Sequence, residues 1–195
     1  MGKILAIVLV IVLVFFVITG VSGYNRVVKL DQGVSQSWSQ VENQYQRRAD
    51  LIPNLVETVK GAANFEQETL TRVIEARAKA TQVQITSEQL EDPEALRRFE
   101  QAQGELSSAL SRLLVTVEQY PELKANANYL ALQDELAGTE NRIGNERRRF
   151  TETVQTYNTA VKSFPMSVLS GMFGFHPKAY FEAREGAEEA PKVNF

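Results

Sequence analysis

Apolar residues follow two different arrangements along this chain. Residues 4–18 form an unbroken apolar run, and residues 19–21 extend it to 18 positions without a charge. As an α-helix this run would rise about 27 Å, which is enough to cross the hydrocarbon core of a bilayer. From about Tyr24 onward, apolar residues instead recur every three or four positions, as is typical of helices with one buried face. The pattern therefore predicts a membrane-spanning segment followed by amphipathic helices.

The apolar run fits two interpretations. A retained single-pass anchor is favoured because the run is longer than the hydrophobic core of a signal peptide, which has about 7–15 residues. The helical pattern also continues at once from Tyr24, an aromatic residue that suits the membrane interface. A cleaved signal peptide is the alternative, because Lys3 precedes the run and residues 21–23 offer a cleavage site. We predict an anchor over residues 1–23, whose bilayer contact at 4–21 includes Ile4, Val12, Phe16 and Val21.

The charges that flank the run favour one orientation. Lys3 lies on its N-terminal side, whereas Arg26 and Lys29 follow it closely. Positive residues accumulate on the cytoplasmic side of membrane helices, so this difference of about one charge indicates that the larger, C-terminal part of the chain is cytoplasmic.

The first two amphipathic helices follow the anchor directly. The first covers about residues 24–63, and Pro53 inside it predicts a kink or a restart that is capped by Asp50. The second covers about residues 65–82 and is followed by a loop at 83–91. The inner side of the second helix is assigned to Leu70, Val73, Ile74, Arg77 and Ala80.

Two longer helices follow. The third is predicted to start at the N-cap Asp92, with Pro93 in its first turn, and to stop at Pro121. The fourth covers about residues 126–164 and stops at Pro165. Their apolar period of about 3.5 residues favours coiled-coil-like packing between neighbouring helices.

The resulting fold class is all-α. We predict an N-terminal transmembrane helix followed by an elongated antiparallel bundle of three to four long helices. The bundle domain would cover residues 24–181, and its Gly-broken apolar segment at 166–181 would fold back on the helices. Residues 182–195 are predicted to form a flexible acidic tail.

The composition limits the binding and catalytic sites that the chain can form. The net charge is −3, without the basic excess of a typical nucleic-acid-binding protein. The chain has no cysteine and one histidine, His176, so it can supply neither thiolate metal ligands nor the paired histidines of a dimetal bundle. His176 is interpreted as a surface or packing residue. We predict no enzymatic activity, no metal site, no cofactor and no nucleic-acid partner.

Two polar clusters interrupt the apolar stripes, one around Arg48 and the other around Glu140. Polar groups near the interior of a bundle need partners, so we predict a network that fixes helix register, in which Arg48 or Arg142 pairs with Glu140 or Asp50. A groove for a partner peptide is the alternative. The basic run at 147–149 is interpreted as a solvated face. The candidate residues of the structural or interaction cluster are Arg48, Asp50, Asn54, Glu135, Glu140, Asn141 and Arg142.

Several motifs resemble those of the LemA family. They lie at residues 24–28, 48–61, 120–125, 132–143, 157–158, 164–165 and 174–175. The resemblance extends over about residues 4–182. The chain departs from the family's pattern at Phe150 and Thr151, where the family often has Tyr followed by Asn.

The resemblance implies a bacterial inner-membrane protein with one N-terminal helix, a short external N-terminus and a cytoplasmic antiparallel bundle. No enzymatic activity is established for the family, and its members are often encoded near membrane proteases or other envelope proteins. This context implies a scaffold or accessory role with a protein partner in the membrane, such as a membrane protease.

Three functional hypotheses are compatible with these features. The first is a membrane-anchored interaction scaffold. The second is a self-assembling structural protein, a homo-oligomer in which the third and fourth helices pack between chains. The third is an enzyme that uses Glu140 and Asp50 as acid and base.

Overall fold

The computed structural model describes residues 2–61 and 65–181, and all regular secondary structure within them is helical. The predicted all-α class is therefore confirmed. The helices are α1 (Gly2–Lys60), α2 (Gln67–Gln82), α3 (Pro93–Val117), α4 (Pro121–Lys124), α5 (Ala127–Lys162) and α6 (Met166–Leu169). Short 3₁₀ turns occur at Gln89–Glu91 and Ser170–Phe173. The predicted helical position Ala63 and the predicted tail at 182–195 lie outside the described residues.

Helix α1 carries both the apolar run and the first helix of the bundle. It has 59 residues and continues across the predicted boundary at residue 23, so it is about 88 Å long. Among the described residues it is the one helix long and apolar enough to cross a membrane. The predicted stripe that begins at Val27 is buried along the bundle part of α1, at Val34, Trp38, Val41, Tyr45, Ala49, Ile52, Val56 and Val59.

The predicted restart at Pro53 is wrong, because α1 passes through this residue without a break. Asp50 does not cap a new helix, and its carboxylate accepts a hydrogen bond from Gln46 Nε2 at 2.7 Å. Pro53 has no N–H for the carbonyl of Ala49, one helical turn earlier. Arg77 on α2 supplies the missing donor, because its Nε lies 2.7 Å from that carbonyl oxygen. A contact from another helix thus makes proline tolerable inside α1.

The inner side of α2 differs from the prediction at one position. Ile74 is 52% exposed, whereas Ala76 is buried beside Leu70 and Val73. Ile74 follows Val73 directly and is therefore rotated about 100° away from it around the helix axis. The predicted loop at 83–91 contains the turn Gln89–Glu91 and buries Ile85 and Leu90.

Caps and prolines set the ends of the two long later helices. Asp92 accepts a hydrogen bond from the backbone N–H of Glu94, as expected for the predicted N-cap of α3. Asn126 caps α5 in the same way. Both helices end earlier than predicted, α3 at Val117 and α5 at Lys162. Each therefore stops a few residues before the proline that was expected to end it.

The long helices pack antiparallel in two pairs. Helix α5 runs back along α1, and α3 runs back along α2, where Lys79 and Glu105 pair at 3.4 Å. The anchor-proximal core is rich in aromatic residues and contains Val34, Trp38, Tyr45, Phe99, Ile143, Phe150 and Tyr157. The anchor-distal core is mainly aliphatic and contains Ile52, Leu55, Val73, Leu106, Leu113 and Leu136. The stripes of α3 and α5 are thus buried within one chain, which differs from the packing between chains that the self-assembly hypothesis requires.

The segment after α5 folds back on the bundle, as predicted. Met166 on α6 lies beside Gly23 of α1, and the ring centroids of Tyr24 and Phe173 are 5.1 Å apart. Residues 175–181, here called the C-terminal strap, then cross the anchor-proximal core. The backbone N–H of Ala179 in the strap donates to the carbonyl of Leu90 at 2.8 Å.

Candidate functional site

The most extensive polar network inside the bundle surrounds Arg48. The Arg48 side chain is 2% exposed and lies between the two cores. Its Nη1 donates to Glu140 Oε2 at 2.8 Å and to Ser107 Oγ at 2.9 Å. Its Nη2 donates to Gln103 Oε1 at 2.7 Å. One guanidinium therefore joins α1, α3 and α5, and the predicted pairing of Arg48 with Glu140 is present.

These residues form a polar layer, which we define as Arg48, Gln103, Ser107, Thr139 and Glu140. Along their helices Arg48, Gln103, Thr139 and Glu140 fall between residues of the anchor-proximal core and residues of the anchor-distal core, and Ser107 lies one turn beyond Gln103. Sliding one helix by a turn would move the charge of Arg48 into an apolar core without its partners, which is strongly unfavourable. The layer thus favours a single register of the three helices.

Gln103 and Ser107 were not among the predicted site residues. Gln103 is buried and has a second contact, since its Nε2 donates to the carbonyl of Ala80 on α2 at 3.1 Å. Through Gln103 the layer extends to all four long helices. The signal in the sequence was a glutamine at a position of the apolar stripe of α3, where a polar side chain needs a specific partner.

A second group of charges lies at the rim of the polar layer. Glu135 accepts hydrogen bonds from Arg47 Nε at 3.0 Å and from Arg142 Nη2 at 2.7 Å, and Arg142 also donates to the hydroxyl of Thr139. Partial desolvation raises the pKa of Glu135, whereas the charges and hydrogen bonds of Arg47 and Arg142 lower it. The arginines have the larger combined effect, so the pKa of that carboxyl lies below its usual value. The rim therefore connects α1 to α5 through a carboxylate that stays ionised.

Three predicted site residues are not part of this network. Asp50, Asn54 and Asn141 are exposed. Asp50 bonds to Gln46, while Glu140 is paired with Arg48. The acid–base pair of the enzyme hypothesis is not assembled in this arrangement. No group of three or more potential ligand side chains is placed to hold a metal ion within residues 2–61 and 65–181.

A second buried network holds the C-terminal strap and was not predicted as a site. Asn158 on α5 is buried and makes two hydrogen bonds of 2.8 Å to the backbone N–H and carbonyl of Lys178. The Lys178 side chain is 5% exposed, and its Nζ lies 3.0 Å from Asp31 Oδ1 and 3.9 Å from Glu91 Oε1. The strap thus carries a positive charge into the bundle, where carboxylates from two other segments neutralise it.

The motif at residues 157–158 accounts for part of this network. Tyr157 donates its hydroxyl hydrogen to the carbonyl of His176 at 3.1 Å, while the His176 side chain is exposed, in agreement with the sequence-based interpretation. Burial, together with the charges of Asp31 and Glu91, raises the pKa of Tyr157 well above its usual value, so the hydroxyl remains a donor.

The predicted solvated face at 147–149 is only partly solvated. Arg148 and Arg149 are exposed, but Arg147 is half-buried. It pairs with Glu100 on α3, and its guanidinium carbon lies 4.2 Å from the centroid of the Phe181 ring in the strap. Arg147 therefore contributes to tertiary structure, which a run of three arginines in the sequence could not reveal.

Comparison with known proteins identifies relatives over most of the chain. A model of the LemA family matches residues 37–195. The chain is 27% identical to magnetosome protein MamQ of Magnetospirillum gryphiswaldense over 92% of its own length and 72% of that protein. It is 24% identical to protein LemA of Metamycoplasma hominis over 93% of its own length and 78% of that protein. The polar layer, the strap and the Pro53–Arg77 contact all lie within the region that the family model matches.

Proposed function

The chain belongs to the LemA family, and from that premise we propose that it is a membrane-anchored, non-enzymatic scaffold or accessory protein of the bacterial cell envelope. The observation that carries the proposal is the continuity of α1. Its described side chains between positions 4 and 18 are exposed and apolar, whereas a stripe beginning at Val27 is buried in the bundle. A helix of this kind would hold a rigid bundle close to the bilayer, where the effective concentration of a membrane partner is high.

The arrangement of charges supports a structural role for the candidate residues. Glu140 and Glu135 pair with arginines, and both Nη groups of Arg48 donate within the polar layer. Polar networks of this type stabilise one register of a bundle, and their side chains bind each other instead of an external ligand. The surface that would contact a partner is then the outside of the bundle, whose shape the polar layer helps to fix.

For location we propose the bacterial inner membrane, a single pass, and a cytoplasmic bundle. The support is the excess of positive residues just after the apolar run, at Arg26 and Lys29. As partner we propose another membrane protein, with membrane proteases as the first class to test. Self-assembly is less well supported, because the stripes of α3 and α5 are already buried within one chain.

The proposal is tested with the full chain in its native membrane, carrying an affinity tag after Phe195. We expect the chain to resist extraction from membranes at high pH and to crosslink reproducibly to the same membrane protein. The matched control is the double variant Leu9→Arg, Leu13→Arg. Two arginines at the centre of the helix would oppose insertion by about 5–7 kcal/mol, so membrane retention and capture of the partner should both be lost.

Two outcomes would contradict the proposal. Recovery of a soluble chain that lacks residues 1–23 would show that the apolar run is a cleaved signal. Recovery of the intact chain from the membrane without any reproducible crosslinked protein would contradict the scaffold role. A reporter fused after Phe195 tests orientation separately, and activity restricted to the outer side of the membrane would contradict a cytoplasmic bundle.

A further inference from the structure

The segment between α5 and the strap has an unusual surface. Residues 163–175 contain no acidic or basic side chain. Four of their apolar side chains are exposed, and Phe164, Val168 and Met172 are each at least two-thirds exposed. Phe173, the fourth, is 48% exposed. Several exposed apolar side chains on one short uncharged segment are typical of a contact with a partner or a membrane.

The segment lies beside the membrane-proximal part of α1. A Cβ on Gly23 would lie 2.9 Å from Met166 Sδ, and a Cβ on Gly20 would lie 4.0 Å from Leu169 Cδ1. Residues 166–169 therefore lie beside the last turns of the apolar run, and the chain returns to the level of Tyr24 at Phe173. Val168 directly precedes Leu169, and Met172 directly precedes Phe173, so both exposed side chains lie close to residues 20–24 of α1, where the apolar run ends.

Residues that neighbour the segment are of the types expected at a membrane surface. Tyr24 packs against Phe173 and Phe175, with ring centroids 5.1 and 5.6 Å apart, and aromatic residues are enriched at membrane interfaces. Arg26 and Lys162 are exposed at the bundle side of the apolar surface, where their charges can meet lipid headgroups.

We propose that residues 164–173 form a second membrane contact, whose exposed apolar side chains insert into the lipid interface beside the anchor. The proposal rests on the anchor of the proposed function and adds that the bundle touches the bilayer at two places. A single helix leaves the bundle free to rotate about the helix axis. A second contact at α6 would select one rotation and so decide which face of the bundle is turned away from the membrane.

The test uses full-length chain in vesicles of phosphatidylcholine and phosphatidylglycerol with brominated acyl chains, which quench a nearby fluorophore. The natural chain has no cysteine, so single-cysteine variants can be labelled at one position each. The test position is Val168→Cys. The matched control is Val115→Cys on α3, because both valines are 68% exposed and Val115 lies at the anchor-distal end. Ile11→Cys reports on the anchor.

We expect brominated lipid to quench the labels at Ile11 and Val168, with a loss at Val168 of at least about half that at Ile11. The label at Val115 should keep its intensity. Met172→Cys repeats the measurement at an independent position that is 79% exposed, so one poorly folded variant does not decide the result.

The outcomes separate the two proposals. Quenching at Ile11 with none at Val168 and Met172 would overturn the second contact while leaving the anchor intact. Equal quenching at Val115 would also overturn it, because the whole bundle would then lie on the bilayer. Absence of quenching at Ile11 would overturn the anchor itself, and the second contact with it.

Discussion

The two cores of the bundle are stabilised in different ways. In the anchor-proximal core, Trp38 contacts the rings of Phe99, Phe150 and Phe181, with centroids 5.3–5.9 Å apart, and the strap covers them. In the anchor-distal core, leucine, valine and isoleucine side chains fill the space between four helices. The polar layer lies between these cores and contains the buried charge of Arg48.

This difference shows how one bundle can combine stability from apolar burial with a single register of its helices. Large aromatic rings bury much apolar area at few positions, so the anchor-proximal core depends on single residues. Aliphatic side chains distribute the same kind of contact over many positions and tolerate many alternative packings. The polar layer restricts these alternatives, because the hydrogen bonds of the two Arg48 Nη groups form in one register only.

The largest effect is expected at the centre of the anchor-proximal core. Trp38→Ala should lower the free energy of unfolding by about 4 kcal/mol, because it removes the ring shared by three aromatic contacts and leaves a cavity. Leu113→Ala is the matched change in the anchor-distal core, and we expect a cost of about 3 kcal/mol. Urea unfolding of the solubilised full chain, followed by circular dichroism, measures both. A cost at Leu113 that exceeds the cost at Trp38 would contradict the comparison.

The polar layer gives the next test. Arg48→Ala should destabilise the bundle by about 3 kcal/mol, because it leaves a cavity and removes the charge that Glu140 and Gln103 face. Arg48→Met should recover at least half of this loss, since methionine fills the volume and needs no partners, while Glu140 can turn to water. The same urea titration distinguishes them. If Arg48→Met is as destabilising as Arg48→Ala, the hydrogen bonds of the guanidinium contribute more than we infer.

A double-mutant cycle examines the contact between Pro53 and Arg77. Arg77→Met should cost about 1 kcal/mol in the natural chain, because the carbonyl of Ala49 then has no donor. In a chain with Pro53→Ala, the new amide at position 53 can donate to that carbonyl, so Arg77→Met should cost measurably less. A coupling of about 0.5–1 kcal/mol between the two positions would support this account. Additive effects would contradict it.

The smallest effect is expected at the exposed rim. Because the pKa of Glu135 is held below its usual value of 4.5, this carboxylate stabilises the fold at neutral pH, and that contribution is lost as pH falls from 4.5 through the lowered pKa of the folded state. Glu135→Gln should therefore lower the melting temperature slightly at pH 7, and the difference from the natural chain should vanish in acid. Thermal melts across pH, at low and high salt, test this. A difference that persists in acid would contradict the electrostatic origin.

Much of the fold followed from local rules that the sequence displays. The periodic stripe predicted the buried face of α1 correctly, the N-cap Asp92 marked the start of α3, and the apolar period placed the start of α5 near Asn126. The errors occurred where a distant contact overrides a local rule. A kink or a restart was predicted at Pro53 because the compensating donor, Arg77, lies on another helix 24 positions later. Arg147 was predicted to be solvated because Phe181, which packs on it, lies far along the chain.

The order of the long helices, most of their buried faces and the length of the apolar run are properties of neighbouring residues, so the sequence alone was sufficient for them. The pairing of polar groups required the path of the whole chain. Arg48 meets Glu140 across 92 positions, and Lys178, near the C-terminal end of the described chain, meets Asp31 near its N-terminal end. Helical periodicity specifies which way a side chain points, but not which side chain from another helix stands opposite to it. That choice depends on how the helices pack, and here packing placed a buried arginine between two apolar cores.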